Sequence, residues 1–151
     1  MLLAIDLGNT NTVFGVFDYG RLTKSWRLST QKTRTVDEYG ILLRNLFALE
    51  QLDVGVIDAV IIASVVPSLD PTLDEMARRY FSVEPIFVSS ENAGIPILYH
   101  DPSEVGADRI VDAVAAVERY GAPAIIVDLG TATTFDGITR EGAYLGGLIA
   151  P

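Results

Sequence analysis

The most constraining feature of this sequence is a segment that occurs twice. Residues 5–17 read IDLGNTNTVFGVF and residues 127–139 read VDLGTATTFDGIT, an offset of 122 residues. Asp6/Asp128, Leu7/Leu129, Gly8/Gly130, Thr12/Thr134 and Gly15/Gly137 are identical, and Ile5/Val127 and Val16/Ile138 are near-matches. Each copy is an apolar run, an Asp-Leu-Gly turn trailed by hydroxyls, and a returning run. That order reads as a strand, a turn and an antiparallel partner. One Asp-x-Gly bend is common hairpin chemistry, but two in the same strand context point to a duplicated lobe. Only 24 of the 151 residues follow Val127. The second lobe is therefore expected to be cut short, and the chain to be the N-terminal part of a longer protein. The lobes are expected over 1–120 and 121–151.

Between the copies the pattern alternates strand and helix. Residues 2–7, 12–18 and 21–29 read as three sequential antiparallel strands, with Tyr19-Gly20 turning the second into the third. Thr35-Val36-Asp37-Glu38 is a capping box, and Tyr39, Leu42, Leu43, Leu46 and Phe47 continue it as an amphipathic helix to about residue 52. Residues 58–66 are too continuously apolar for a sheet wet on one face and read as a buried strand. Residues 67–81 read as a helix with Pro71 in its first turn, where a missing N–H is harmless. A short strand over 85–89 follows, then a loop over 92–106 rich in Gly and Pro. Residues 108–120 read as a helix closed by Gly121, and 124–129, 133–139 and 143–149 as a strand with two hairpin partners. The fold class is α/β, a mixed sheet flanked by helices.

Several chemistries are excluded at once. The chain has no Cys and a single His, His100, so no disulfide, Cys/His metal site or Cys nucleophile can be assembled. A net charge of −9 argues against a nucleic-acid partner, which needs a basic stripe. No apolar run approaches the ~18–20 residues of a membrane span, and the N-terminus lacks the basic region of a signal peptide. A cytoplasmic location is expected.

The two turns offer phosphate chemistry instead. Gly8 and Gly130 let backbone N–H groups approach a ligand, and Asn9, Thr10, Thr12, Thr131, Thr133 and Thr134 add donors. Asp6 and Asp128 stand at strand ends, where a carboxylate holds a cation or its waters beside phosphate oxygens. Neither a G-x-x-x-x-G-K-[ST] loop nor a G-x-G-x-x-G is present. Phosphoryl transfer depends mostly on positioning and charge neutralisation, so turns of this kind suffice in principle. The turns alone leave three readings open: a kinase, a non-catalytic nucleotide-binding regulatory module, and an actin-like ATPase or phosphatase.

Four blocks narrow the choice. Asp6-Leu7-Gly8-Asn9-Thr10-Asn11-Thr12, Tyr99-His100-Asp101-Pro102 with Gly106-Ala107-Asp108-Arg109, Asp128-Leu129-Gly130-Thr131-Ala132-Thr133-Thr134, and Gly146-Gly147-Leu148-Ile149-Ala150-Pro151 together resemble type III pantothenate kinase. That family lies in the actin-like and sugar-kinase superfamily, whose lobes are ribonuclease H-like, and its members are normally longer than this chain.

The resemblance implies ATP-dependent phosphorylation of pantothenate to 4'-phosphopantothenate, the first step of coenzyme A synthesis, by a homodimer that needs Mg²⁺ and a monovalent cation, K⁺ or NH₄⁺. It makes Asp6 to Val13 (Asp6, Leu7, Gly8, Asn9, Thr10, Asn11, Thr12, Val13) the first ATP-phosphate loop, with Asp6 orienting hydrated Mg²⁺. Thr131 would contact ATP, and Asp128 would be the K⁺ ligand. Tyr99, Gly106, Ala107, Asp108 and Arg109 would line the pantothenate pocket, with Asp108 the acceptor of the substrate hydroxyl's proton. It also places a further pantothenate-binding Thr and much of the adenine site beyond residue 151, so these residues alone are expected not to turn over. Some members carry a Lys after the first loop. Here Thr12-Val13-Phe14-Gly15 occupies that stretch, leaving charge neutralisation to metals and backbone.

The residues taken by themselves read more plainly. Asp108 stands where a helix begins and reads equally as its N-cap. Arg109 reads as a surface ion pair or as a grip on a substrate carboxylate, for which a guanidinium is well shaped. His100 reads as a solvated or dimer-contact residue, Arg78-Arg79 as a solvated helix end, and Glu50, Asp53 and Asp58 as solvated carboxylates.

Overall fold

The computed structural model describes residues 1–130 and 132–150. Two compact units emerge, Met1–Phe87 and Val88–Pro151, and each is described by itself.

The first unit is built on a five-stranded mixed sheet. Strands β1 (Leu2–Leu7), β2 (Asn11–Asp18) and β3 (Arg21–Ser29) run antiparallel in sequence, while β4 (Ala59–Ser64) and the two-residue β5 (Ile86–Phe87) lie parallel to β1. The order is β3-β2-β1-β4-β5. Register follows side-chain pattern: Leu3 faces Val16 and Val60, and Ile5 faces Phe14 and Ile62. All six are at most 2% exposed, so a one-residue slip would turn this whole set toward water.

Helix α1 (Val36–Leu49) starts where the capping box places it. The Thr35 side chain accepts from the Glu38 N–H, and the Glu38 carboxylate accepts from the Thr35 N–H at 2.7 Å. Tyr39, Leu43 and Phe47 are fully buried against the sheet cluster. The helix ends near Gln51, whose φ of 58° no helix can continue. Residues 67–81 are helical but not uniform: a 3₁₀ turn (Pro67–Leu69) leads into α2 (Asp70–Met76), and a π-type turn (Ala77–Phe81) closes on left-handed Ser82. The expected carboxylates and arginines are exposed, and all but Asp53, which accepts from the Gly55 N–H at 3.0 Å, are ion-paired. Arg78 holds Asp74 at 2.9 Å and Glu84 at 2.8 Å, Lys24 pairs with Glu50, and the N-terminal amine lies 3.2 Å from Asp58.

In the second unit, β6 (Ala124–Leu129), β7 (Thr133–Ile138) and β8 (Tyr144–Ala150) form an antiparallel sheet in that order. Helix α3 (Ala107–Tyr120) supplies Ile110 and Ala113 to a small core with Ala93, Val105, Ile138 and Tyr144. The compact units thus divide at 87/88 because α3 packs on β6 and β7, whereas the repeat draws its lobe boundary after α3. The loop over 92–106 is tied down in a way its composition does not announce. Leu98 N–H donates to the Tyr144 carbonyl and Tyr144 N–H to the Pro96 carbonyl, both at 2.8 Å, adding a parallel bridge at Ile97 to β8.

The repeat is real in topology and differs by one residue in register. Leu7 faces Thr12 across a four-residue turn, whereas Leu129 faces Thr133 across a three-residue one. Leu3, Ile5 and Leu7 are buried, while their counterparts Ile125, Val127 and Leu129 are 79%, 49% and 81% exposed. Among the described residues no helix is long and apolar enough to cross a membrane.

Candidate functional site

The first Asp-Leu-Gly turn is braced from behind. Gly8 N–H donates to the Asn11 carbonyl at 3.0 Å, and Thr30, one residue past β3, donates its backbone N–H to the Thr10 carbonyl at 2.9 Å. The Thr30 hydroxyl donates to the Gly8 carbonyl at 2.6 Å, and Thr12 Oγ1 lies 2.9 Å from Thr30 Oγ1. A hydroxyl has one proton. Thr30 spends its own on Gly8, so Thr12 must donate to Thr30. Thr12, 1% exposed, therefore has no proton left for a ligand, which changes the role expected of it from phosphate donor to turn brace. Asp6, Asn9 and Thr10 are exposed at the rim, with Leu7 buried and Val13 paired to Asp6 across the hairpin. Gly8 permits the turn itself, since a Cβ there would stand 3.0 Å from the Asn11 carbonyl oxygen.

The second turn, one residue shorter, also closes on its glycine. Gly130 N–H donates to the Ala132 carbonyl at 3.2 Å, and Asp128 is exposed at the end of β6 opposite Thr134. A shallow groove runs past Asp128, lined by Asp112, Ala115, Ala116, Arg119 and Tyr120 of α3. Thr131 lies outside the described residues. No group of three His, Cys, Asp or Glu side chains clusters closely enough to hold a metal among the described residues. Asp6 and Asp128 nevertheless fit hard cations of the kind that keep most of their waters and take one or two protein carboxylates beside substrate phosphates. The donors at both turns are oxygens, without thiolate or imidazole.

The third constellation gathers around β8. Helix α3 begins with Gly106 as its N-cap and Ala107 as its first residue, so Asp108 is not the cap. Its carboxylate accepts from the Arg109 N–H at 2.8 Å and is otherwise exposed in the first helical turn. Arg109 is no surface ion pair. Its Nε donates to Asp136 Oδ1 at 2.8 Å, and Nη2 lies 2.5 Å from the same oxygen, with side chains 19% and 2% exposed. Nη2 is attracted by charge without a directed hydrogen bond, and it is buried with no acceptor among the described residues. Tyr144 O–H donates to the same Asp136 oxygen at 2.6 Å.

Electrostatics in this cluster follow from burial and from Asp136. Burial pulls the Arg109 guanidinium down, but the hydrogen bond and charge of Asp136 outweigh it and leave the group above its ordinary value. For the Tyr144 phenol both act together, burial first and the Asp136 hydrogen bond second, and push it well above the usual tyrosine range. Two glycines make room. A side chain at Gly147 would collide with the Phe135 carbonyl, Arg109 and Asp136, and one at Gly146 (φ 116°) would meet the Tyr99 ring at 3.0 Å. Tyr99 and Arg109 thus approach consecutive residues of β8. His100 is exposed nearby in sequence.

Asp136 and Tyr144 are functional candidates that motif reading passes over. The signal was present for Asp136: it aligns with Phe14 of the first copy, and a carboxylate in place of a core aromatic needs a buried partner.

A family model described as Type III pantothenate kinase matches residues 2–151. A type III pantothenate kinase of Koribacter versatilis (strain Ellin345) is 55% identical over 162 residues, covering 100% of this chain and 59% of that protein. One from Anaeromyxobacter sp. (strain K) is 57% identical over 152 residues, covering 100% and 60%. The chain thus spans 59–60% of the length of these curated relatives. Among solved structures, a Sinorhizobium meliloti protein named as a 2-dehydro-3-deoxygalactonokinase superposes at TM-score 0.57 and 11% identity, over 99% of this chain and 53% of that one. That likeness is one of fold alone.

Proposed function

This chain belongs to the type III pantothenate kinase family, and on that premise we propose that the protein it forms part of transfers the γ-phosphoryl group of ATP to the primary hydroxyl of pantothenate. The observation that carries the reading is the first turn of α3. It presents an exposed carboxylate, Asp108, next to an anchored guanidinium, Arg109, in a segment tied to β8.

In this reading the Asp6–Val13 turn cradles ATP phosphates through backbone N–H groups and the rim side chains of Asn9 and Thr10, while Thr12 fixes its shape. The second turn, with Thr131, also contacts ATP. Asp6 would hold a hydrated Mg²⁺ and Asp128 a K⁺ or NH₄⁺ ion, and these cations would supply the charge neutralisation that an acidic chain lacks. Tyr99, Gly106, Ala107 and Arg109 hold pantothenate. Asp108 orients its hydroxyl and takes the proton. A loose transition state, in which the nucleophile's proton leaves late, asks for that positioning more than for a strong base. Family membership also supports a homodimeric, cytoplasmic enzyme feeding coenzyme A synthesis.

The test is ADP release by a protein of the relatives' full length, with Mg²⁺ and K⁺ present, against the 151-residue chain. Pantothenate-dependent ADP from the longer protein alone supports the reading. ADP release indifferent to pantothenate would favour an actin-like ATPase instead, and none at all would favour a binding module.

A further inference from the structure

We propose that Asp136, steadied by Tyr144, is a positioning residue that fixes the Arg109 guanidinium for the carboxylate of pantothenate, and so sets the preference for the acid over its uncharged amide. The inference rests on the reading above and adds two residues that none of the four motif blocks assigns.

The geometry is one-sided. Both contacts from Arg109 to Asp136 use the Nε and Nη2 flank of the guanidinium. Nη1 takes no part in either contact, and Nη2 is buried without a directed acceptor among the described residues. A guanidinium is a rigid fork whose spare edge matches a carboxylate. Asp136 is 2% exposed and Arg109 is 19% exposed, so the pair is a buried dipole with its positive end toward the surface. Such a pair attracts weakly at long range and discriminates by orientation at contact.

Three features hold the carboxylate in place. Tyr144 donates to the oxygen that faces Arg109, at 2.6 Å. The backbone of Tyr144 is fixed on both sides by Pro96 and Leu98, in the stretch that leads directly to Tyr99. Gly147 leaves the gap through which Arg109 reaches Asp136, because any Cβ there would overlap both side chains. Removing the charge of Asp136 frees a long side chain that must then be ordered by substrate alone, and that ordering cost falls on binding.

The test uses the full-length enzyme and steady-state kinetics with pantothenate and with its primary amide. Asp136→Asn is expected to raise KM for pantothenate by about 10- to 100-fold with a much smaller change in kcat, and to shrink the acid-to-amide ratio of kcat/KM by about tenfold or more. Tyr144→Phe, which keeps the charge and removes one bond, moves both quantities the same way but less. The decisive comparison is made in an Arg109→Gln background, where Asp136→Asn is expected to add nothing further, since coupled residues are not additive. A full multiplicative effect there, or an unchanged acid-to-amide ratio in Asp136→Asn, overturns the proposal while leaving the kinase intact. Where Asp136→Asn does not fold, Tyr144→Phe with Arg109→Gln gives the same cycle. A wild-type enzyme inert toward pantothenate overturns both the proposal and the reading it rests on, and is recognised before any variant is made.

Discussion

Thr12 and Thr30 are joined hydroxyl to hydroxyl at 2.9 Å, and the onward bond from Thr30 to the Gly8 carbonyl at 2.6 Å leaves that link a single polarity. The relay holds the backbone of the first Asp-Leu-Gly turn from the side away from its rim. Thr30→Val breaks both bonds and leaves the Thr12 hydroxyl without an acceptor. It is expected to cost about 1–2 kcal/mol in urea unfolding. In the full-length enzyme, KM for ATP should rise while KM for pantothenate stays near wild type. An equal rise in both would remove the turn from ATP binding.

The start of α1 gives a pH-dependent prediction. The Glu38 carboxyl is held below its ordinary value, first by the Thr35 backbone N–H and then by the Thr35 hydroxyl. Its contribution is therefore present above the unfolded carboxyl value and disappears as pH falls through the lower folded one. Thr35→Ala should destabilise the first unit by about 1 kcal/mol at neutral pH. The difference from wild type should narrow in acid, as chemical denaturation at several pH values would show.

Tyr144 behaves in the opposite sense. Its phenol is raised above the ordinary range by burial and by Asp136, so its stabilising effect is complete below the unfolded phenol value and is lost as pH rises through the folded one. Tyr144→Phe should be less stable than wild type at neutral pH, and the gap should close in alkali. The difference in phenolate absorbance between wild type and Tyr144→Phe should show a tyrosine that resists ionisation until that loss begins.

Gly147 tests the packing of the same cluster. A methyl group there would overlap the Phe135 backbone carbonyl, which no side-chain rotation relieves, as well as Arg109 and Asp136. Gly147→Ala is expected to cost about 1–3 kcal/mol or more, in the manner of an overpacked core. Amide exchange should locate the damage in β7 and β8. A neutral substitution would mean that Arg109 does not pass where it is placed.

Much of the first unit was legible because local and global signals agreed there. The Thr35–Glu38 box, the Tyr39–Leu43–Phe47 spacing and the apolar run into β4 each state one element, and tertiary packing overrides none of them. The π-type turn over Ala77–Phe81 was not legible, since a helix that widens by one residue keeps the same apolar face. Asp108 misled as a cap because Asp is a good N-cap residue, yet Gly106 takes that position. The Arg109–Asp136–Tyr144 cluster depends on contacts 27 and 8 residues apart in sequence, which no spacing rule encodes. The one-residue difference in turn length between the two repeats was likewise invisible, because alignment by identity aligns the turns and conceals the register.

The central claim is that the first turn of α3 carries the chemistry of a pantothenate kinase, and Asp108→Asn in the full-length enzyme tests it most directly. Pantothenate binding, measured by calorimetry, should stay within a few fold of wild type, while phosphoryl transfer in a single turnover falls by about 10²–10⁴, the range for loss of a positioned proton acceptor. Transfer at the wild-type rate with pantothenate fully bound would contradict the account.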